Sequence, residues 1–204
     1  MYSTLKSISV IIALLMISLQ SNIVRAEDNP KQIVELQTTA PGNIVRSGEI
    51  FTVSAVYDVS NGEKLTGIGF QIFYNSSFFE KMSIDYFYED SPTGLKEFPD
   101  VNNLDNDPAT DNYLVMGWSV YGGNSWPYLE PPIELIRIVF KLKNNIQHNL
   151  STINLIKKSN ASTHDFEGKN LQIEINPPSN PDINQDGELN LIDVIQILKH
   201  VGSN

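Results

Sequence analysis

The sequence predicts an all-β protein: an antiparallel β-sandwich of jelly-roll type, followed by a short loop and one helix at the C-terminal end. Three observations carry this. From about residue 33 to 177 the apolar residues recur with period two, turn residues separate those runs, and one segment at helical spacing closes the chain. The alternating runs are "IVELQT", "EIFTVSAVYDV", "TGIGFQIFY", "KMSIDYFY", "YLVMGWSVY", "IELIRIVFKLK", "STINLIKK" and "LQIEIN". Each is rich in β-branched and aromatic side chains, which fit a pleated and half-buried surface. In "YLVMGWSVY" the alternation places Leu114, Met116, Trp118 and Val120 on one face, so Trp118 is read as core. Eight or so strands with no helix between them stack as two sheets.

Residues 1–26 stand apart from that body. Lys6 precedes the apolar run "ISVIIALLMISL", and Val24 and Ala26 occupy positions that a signal peptidase favours. The run is short for a membrane span and has the flanks of a secretory signal cleaved near Ala26. The mature chain is therefore expected outside the cell with no membrane span. It has no cysteine, so no disulfide framework holds it. Without Lys6 and Arg25 it keeps 12 basic residues against 24 acidic ones, a net charge of −12. Such a surface repels nucleic acid and anionic lipid and favours divalent cations.

Two segments interrupt the strands. The acidic connection of residues 89–112 is long for a compact domain, which marks it as functional or mobile. Asp105, Asp107 and Asp111 within it set oxygen donors at short spacing and form a candidate second metal site. "NPPSNP", residues 176–181, ends the last strand on prolines and makes a stiff linker. The expected organisation is a signal at 1–26, a sandwich at 27–177, a linker at 178–181 and a terminal unit at 182–202.

That terminal unit has the spacing of a calcium loop. Calcium takes six to eight oxygen ligands, which an EF-hand-like loop supplies from positions 1, 3, 5, 7, 9 and 12. Counting from Asp182, those positions hold Asp182, Asn184, Asp186, Glu188, Asn190 and Asp193, the seventh through its backbone carbonyl. Gly187 stands at position 6, where the chain turns sharply, and Leu189 at position 8 is apolar. Leu191, Val194, Ile195, Leu198 and Val201 then form an apolar stripe at helical spacing. Asn190 is a suitable N-cap and Gly202 a suitable stop. Position 12 is Asp rather than the usual bidentate Glu, and the prolines preclude an entering helix.

With those two departures, residues 181–202 resemble the dockerin repeat of bacterial secreted proteins, a loop-helix unit with Asp at its twelfth position. Dockerins normally carry two such repeats, and here there is one. The resemblance implies Ca2+ as cofactor and partner contacts through Leu191, Ile192, Ile195, Leu198 and Lys199. Leu191 and Ile192 stand where many dockerins have small hydroxyl residues, so partner specificity does not carry over. The body, in "VRSGEIFTVSAVYDVSNGEKLTGIGFQIFYNSSFFE" and "IELIRIVFKLK", resembles cohesin-like domains over about residues 43–177.

Together these imply a secreted, non-catalytic, calcium-binding module for extracellular assembly of the cohesin–dockerin kind. Its partner would be a cohesin- or dockerin-bearing protein or a second copy of the chain. The alternative is a carbohydrate-binding sandwich tethered by its tail to a polysaccharide-degrading complex. Sugar binding needs exposed rings on which a pyranose stacks. Trp126 and Tyr128 are the candidates, although Trp126 is as well placed to fold back over the sandwich edge. No nucleophile, base or cofactor motif points to an enzyme: there is no "GxSxG", no "HExxH" and no phosphate-cradling glycine loop.

Overall fold

A computed structural model describes residues 29–88, 94–120, 126–144, 146, 149–176 and 191–201. The strands are β1 (Lys31–Thr38), β2 (Ile44–Arg46), β3 (Ile50–Val59), β4 (Gly67–Tyr74), β5 (Phe79–Phe87), β6 (Lys96–Pro99), β7 (Asn112–Ser119), β8 (Ile133–Leu142), β9 (Asn149–Ser159), β10 (Asp165–Lys169) and β11 (Leu171–Asn176). One helix, α1 (Leu191–Val201), follows. Five strands form one sheet in the order β10-β1-β3-β8-β5, and six form the other in the order β2-β11-β9-β4-β7-β6.

All eight predicted strands are present. The three that the alternation did not reveal, β2, β6 and β10, each lie at a sheet edge. An edge strand buries little on either face, so its sequence has no reason to alternate; "KEFP" of β6 is exposed throughout. Two of these edges also correct the expected antiparallel pairing. β10 runs parallel to β1, and β2 runs parallel to β11, so both sheets are mixed. Every other pairing is antiparallel.

Inward side chains fill the space between the sheets in two aromatic groups. Near one end Phe51, Phe79, Phe140 and Tyr74 meet at centroid distances of 5.1–6.0 Å. At the other, Trp126 lies 4.7 Å from Tyr57 and 6.3 Å from Trp118, which stacks on Phe87 at 4.9 Å. Leu114, Met116 and Trp118 are buried, as the alternation of β7 predicts.

A polar tie runs through this second end. Gln32 is fully buried; its amide nitrogen donates to the Tyr57 hydroxyl and the Gly67 carbonyl, both at 3.1 Å. Its carbonyl oxygen accepts from the Ala161 N–H at 2.7 Å, so one side chain joins both sheets to the β9–β10 turn. Gly67 itself has φ +134°, and a Cβ there would lie 1.9 Å from the Trp118 carbonyl oxygen. Only glycine lets β4 and β7 approach so closely.

Candidate docking face of the six-stranded sheet

Alternation on β4 sends Ile68, Phe70, Ile72 and Tyr74 into the core and leaves Gly69, Gln71 and Phe73 on the outer face. The register with β7 places Phe73 opposite Tyr113, Gln71 opposite Val115, and Gly69 opposite Gly117. β6 adds Phe98 beside Tyr113 and Lys96 beside Val115, while β9 adds Asn154 beside Phe73 and Ile156 beside Gln71. The outer face therefore reads as three rows across the strands.

The first row is aromatic. Phe73 stacks on Tyr113 at 5.0 Å, and Phe98 continues the line 5.6 Å further on. Phe73 is fully covered although it points away from the core, whereas Phe98 is 39% exposed. The loop between β6 and β7 closes this row. Asn154 donates from its side-chain nitrogen to Asp105 at 2.9 Å and to Asp107 at 3.1 Å. Asp105 also accepts from the Thr110 hydroxyl at 2.7 Å, and Asn170 donates to the Asn154 oxygen at 3.1 Å.

The third row is a depression. Gly69 pairs with Gly117 there, and a shallow groove of about 310 Å³ runs over β4 and β7; the Ser159 hydroxyl fills the space over Gly69, where a Cβ would lie 2.6 Å from it. Phe98, Val115 and Ser159 line it, and Lys96 and Lys158 flank it. Both lysines are exposed, and no ion pair engages either one among the described residues. A protein of net charge −10 thus presents a locally cationic trough with an apolar wall.

β6, the outermost strand of this face, is anchored by charge. Tyr74 donates a short hydrogen bond to Glu97, which also pairs with Lys81 at 3.0 Å. Burial raises the Glu97 carboxyl, but hydrogen bonds from Tyr74 and Lys81 and the lysine's charge outweigh it and hold the group below its ordinary range. Burial, reinforced by the Glu97 hydrogen bond, pushes the Tyr74 phenol above its ordinary value.

Several sequence-predicted residues lie elsewhere. Asp111 is turned to the β4–β5 turn, where it accepts from the Ser76 N–H at 2.6 Å and the Ser76 hydroxyl at 2.7 Å. It thus stands apart from the Asp105–Asp107 pair on Asn154, and among the described residues no group of three His, Cys, Asp or Glu is placed to hold a metal ion. Trp126 is only 1% exposed, which corrects its candidacy as a sugar-stacking ring. Its neighbour Tyr128 is exposed, while its N–H and that of Leu129 donate to the Tyr88 hydroxyl at 3.2 and 3.4 Å. Asp182, Asn184, Asp186, Glu188 and Asn190 lie outside the described residues, as do the proposed signal and linker; Asp193 lies on α1.

On α1, Leu191, Val194, Ile195 and Leu198 are 42–71% exposed, and Ile192 and Lys199 are exposed as well. Sequence reasoning found this stripe and missed the sheet face. The available signal was in "GFQIFY", where apolar residues occupy both faces of one strand: Phe73 has no place in an outward row unless something covers it. No described helix is long and apolar enough to cross a membrane.

No family model and no curated protein matches the chain. The sandwich is similar to several solved structures. A cohesin module from a Clostridium perfringens family 33 glycoside hydrolase is 16% identical with a TM-score of 0.43, covering 74% of this chain and 99% of that one. The third cohesin ScaC of Acetivibrio cellulolyticus, solved with the ScaB dockerin, is 12% identical with a TM-score of 0.47, covering 72% and 99%. A chain of the Coh-OlpA–Doc918 complex from Clostridium thermocellum is 12% identical with a TM-score of 0.44, covering 74% and 100%.

Proposed function

We propose that this chain is a secreted, non-catalytic module for extracellular protein–protein assembly of the cohesin–dockerin kind, with a calcium-ordered tail. One observation carries the reading: α1 exposes five large aliphatic side chains directly behind a sequence with calcium-loop spacing. An isolated helix of eleven residues is marginal in water, and an apolar stripe gains stability only by meeting another surface. Asp182, Asn184, Asp186, Asn190 and Asp193 would supply side-chain oxygens to Ca2+, and Glu188 its carbonyl. Ion binding orders the loop, and the stripe docks. The complementary half of the module is the outer face of the six-stranded sheet, where Phe98, Val115 and the paired glycines offer an apolar trough.

Calorimetry with calcium tests the tail. The full chain is expected to bind one ion at the loop, and an Asp182→Ala/Asp186→Ala double variant is expected to lose that heat. Unchanged heats in the double variant refute the loop assignment. Capture of purified, calcium-loaded dockerin modules on the immobilised chain tests the sheet face. Retention should be lost in Lys96→Glu/Lys158→Glu, and a panel that is never retained counts against the docking reading.

A further inference from the structure

We propose that Asn61 and Gly62, in the turn between β3 and β4, form a self-modification site assisted by His164, at which the Asn61 amide is lost as ammonia. The site is independent of the docking face. Asn61–Gly62 is the one Asn-Gly pair in the sequence. Asparagine is thermolabile, because the next backbone nitrogen can attack its side-chain carbonyl. Glycine leaves that nitrogen most open, having no Cβ beside it. Both residues are exposed, and Gly62 has φ +71° with nothing within 4 Å of where a Cβ would stand. Water and hydroxide therefore reach the turn.

The neighbours of the amide fix its orientation. The Glu63 N–H donates to the Asn61 side chain at 3.2 Å, so the accepting atom is Oδ1 rather than the amide nitrogen. His164 Nε2 lies 3.3 Å from the same oxygen and 3.6 Å from a Glu63 carboxylate oxygen. Both are acceptors, so Nε2 carries a proton and donates. In the neutral ring Nδ1 then accepts from the Thr163 hydroxyl at 2.9 Å. His164 is 4% exposed, and its backbone N–H is held by the Ala161 carbonyl at 3.1 Å. A backbone donor and a buried ring donor thus converge on one side-chain carbonyl oxygen. Donors placed in this way stabilise an oxygen on which negative charge develops. Such contacts tighten from their resting length as the reaction proceeds.

The step balances without a cofactor. The Gly62 N–H gives up its hydrogen bond to the Val59 carbonyl, at 3.2 Å, and its proton passes to hydroxide. The nitrogen bonds to Asn61 Cγ, and the carbonyl electron pair moves onto Oδ1, facing the two donors. Collapse of that intermediate re-forms the carbonyl and breaks the Cγ–Nδ2 bond. The departing nitrogen takes a proton from water and leaves as ammonia, and a cyclic imide remains. Water opens the imide at the N–Cγ bond, giving aspartate, or at the original peptide bond, giving isoaspartate. Either product sets a new carboxylate beside His164 and Glu63, and isoaspartate also reroutes the main chain of the turn through Cβ.

The test keeps the full-length chain at mildly alkaline pH, folded in buffer or unfolded in concentrated urea. Peptides spanning residues 61–62 are then followed by mass spectrometry and chromatography. The wild type should form aspartate and isoaspartate at position 61 several-fold faster when folded than in urea. His164→Phe should slow the folded chain about tenfold, equivalent to about 1.4 kcal/mol in the barrier and in the range of one hydrogen bond. In urea it should match the wild type. His164→Gln, which retains an amide donor, should recover part of the rate. Direction separates this role from a purely structural one, since a substitution that only loosened the turn would hasten the loss.

A wild type that reacts no faster folded than in urea overturns the proposal, and that comparison stands even if neither variant folds. So does His164→Phe, folded by circular dichroism, reacting as fast as the wild type or faster. A folded His164→Gln as slow as His164→Phe would equally remove the donor from the account.

Discussion

The side-chain amide of Asn154 donates to the Asp105 carboxylate at 2.9 Å, and this bond fastens the β6–β7 loop to a strand three positions away in the sheet. The same nitrogen reaches Asp107 at 3.1 Å, so one neutral donor separates two carboxylates. Asn154→Ala should lower the unfolding free energy by about 1.5–3 kcal/mol, the range for losing a hydrogen bond to a charged group. Asn154→Asp should cost more, because three carboxylates would then converge. Urea midpoints at neutral pH compare them, and an aspartate variant as stable as wild type would dismiss the role given to the amide.

Glu97 should give the acid limb of stability a component of its own. Its carboxyl is held below the ordinary range in the fold, so its contribution is present above the unfolded value of about 4.3 and is lost as pH falls through the folded value. Glu97→Gln is expected to be less stable than wild type at pH 7 and to lose less stability on acidification. Denaturant midpoints between about pH 7 and pH 2 decide this. Parallel pH curves for the two proteins would contradict it.

Gln32 makes three hydrogen bonds while fully buried. Gln32→Leu keeps much of the volume but leaves the Ala161 N–H and the Gly67 carbonyl without this partner. A loss of about 3 kcal/mol is expected, from unsatisfied groups at about 1–3 kcal/mol each. Amide exchange at Ala161 should accelerate in the variant, and unaltered exchange there would place the stabilisation elsewhere.

The two tryptophans should respond unequally to replacement by phenylalanine. Trp118 Nε1 donates to the Tyr88 carbonyl at 2.6 Å, whereas Trp126 Nε1 is buried with no hydrogen-bond partner among the described residues. Both changes remove similar volume. Trp118→Phe additionally removes a hydrogen bond to the Tyr88 carbonyl, and Trp126→Phe removes a desolvated donor. Trp118→Phe should therefore be the more destabilising by about 1 kcal/mol. The reverse order by thermal or chemical unfolding would show that packing dominates at this end of the core.

The long alternating strands were legible because a strand buried on one face must alternate: β7 delivers Leu114, Met116 and Trp118 inward. The edge strands β2, β6 and β10 were not, since short polar segments owe their pairing to neighbours rather than to their own pattern. Trp126 lies beside a turn, where local sequence cannot say whether a ring points out or back; an isolated bridge to Leu65 turns it inward against Tyr57. The sheet face depends on register. Gly69 and Gly117 are 48 positions apart, and only the register of β4 and β7 sets them side by side. The tail's stripe needed no register, because a single helix carries it.

The parallel edges bear on load. β1 opens the sandwich beside β10, and β11 ends it beside β2, each pair running in the same direction. Tension applied between residue 31 and residue 176 would therefore pull those neighbours past one another along the strand axis. All the bridging hydrogen bonds of a pair then resist together, instead of parting one at a time from an end. The topology thus sets residues 31 and 176 in an orientation that withstands tension between them.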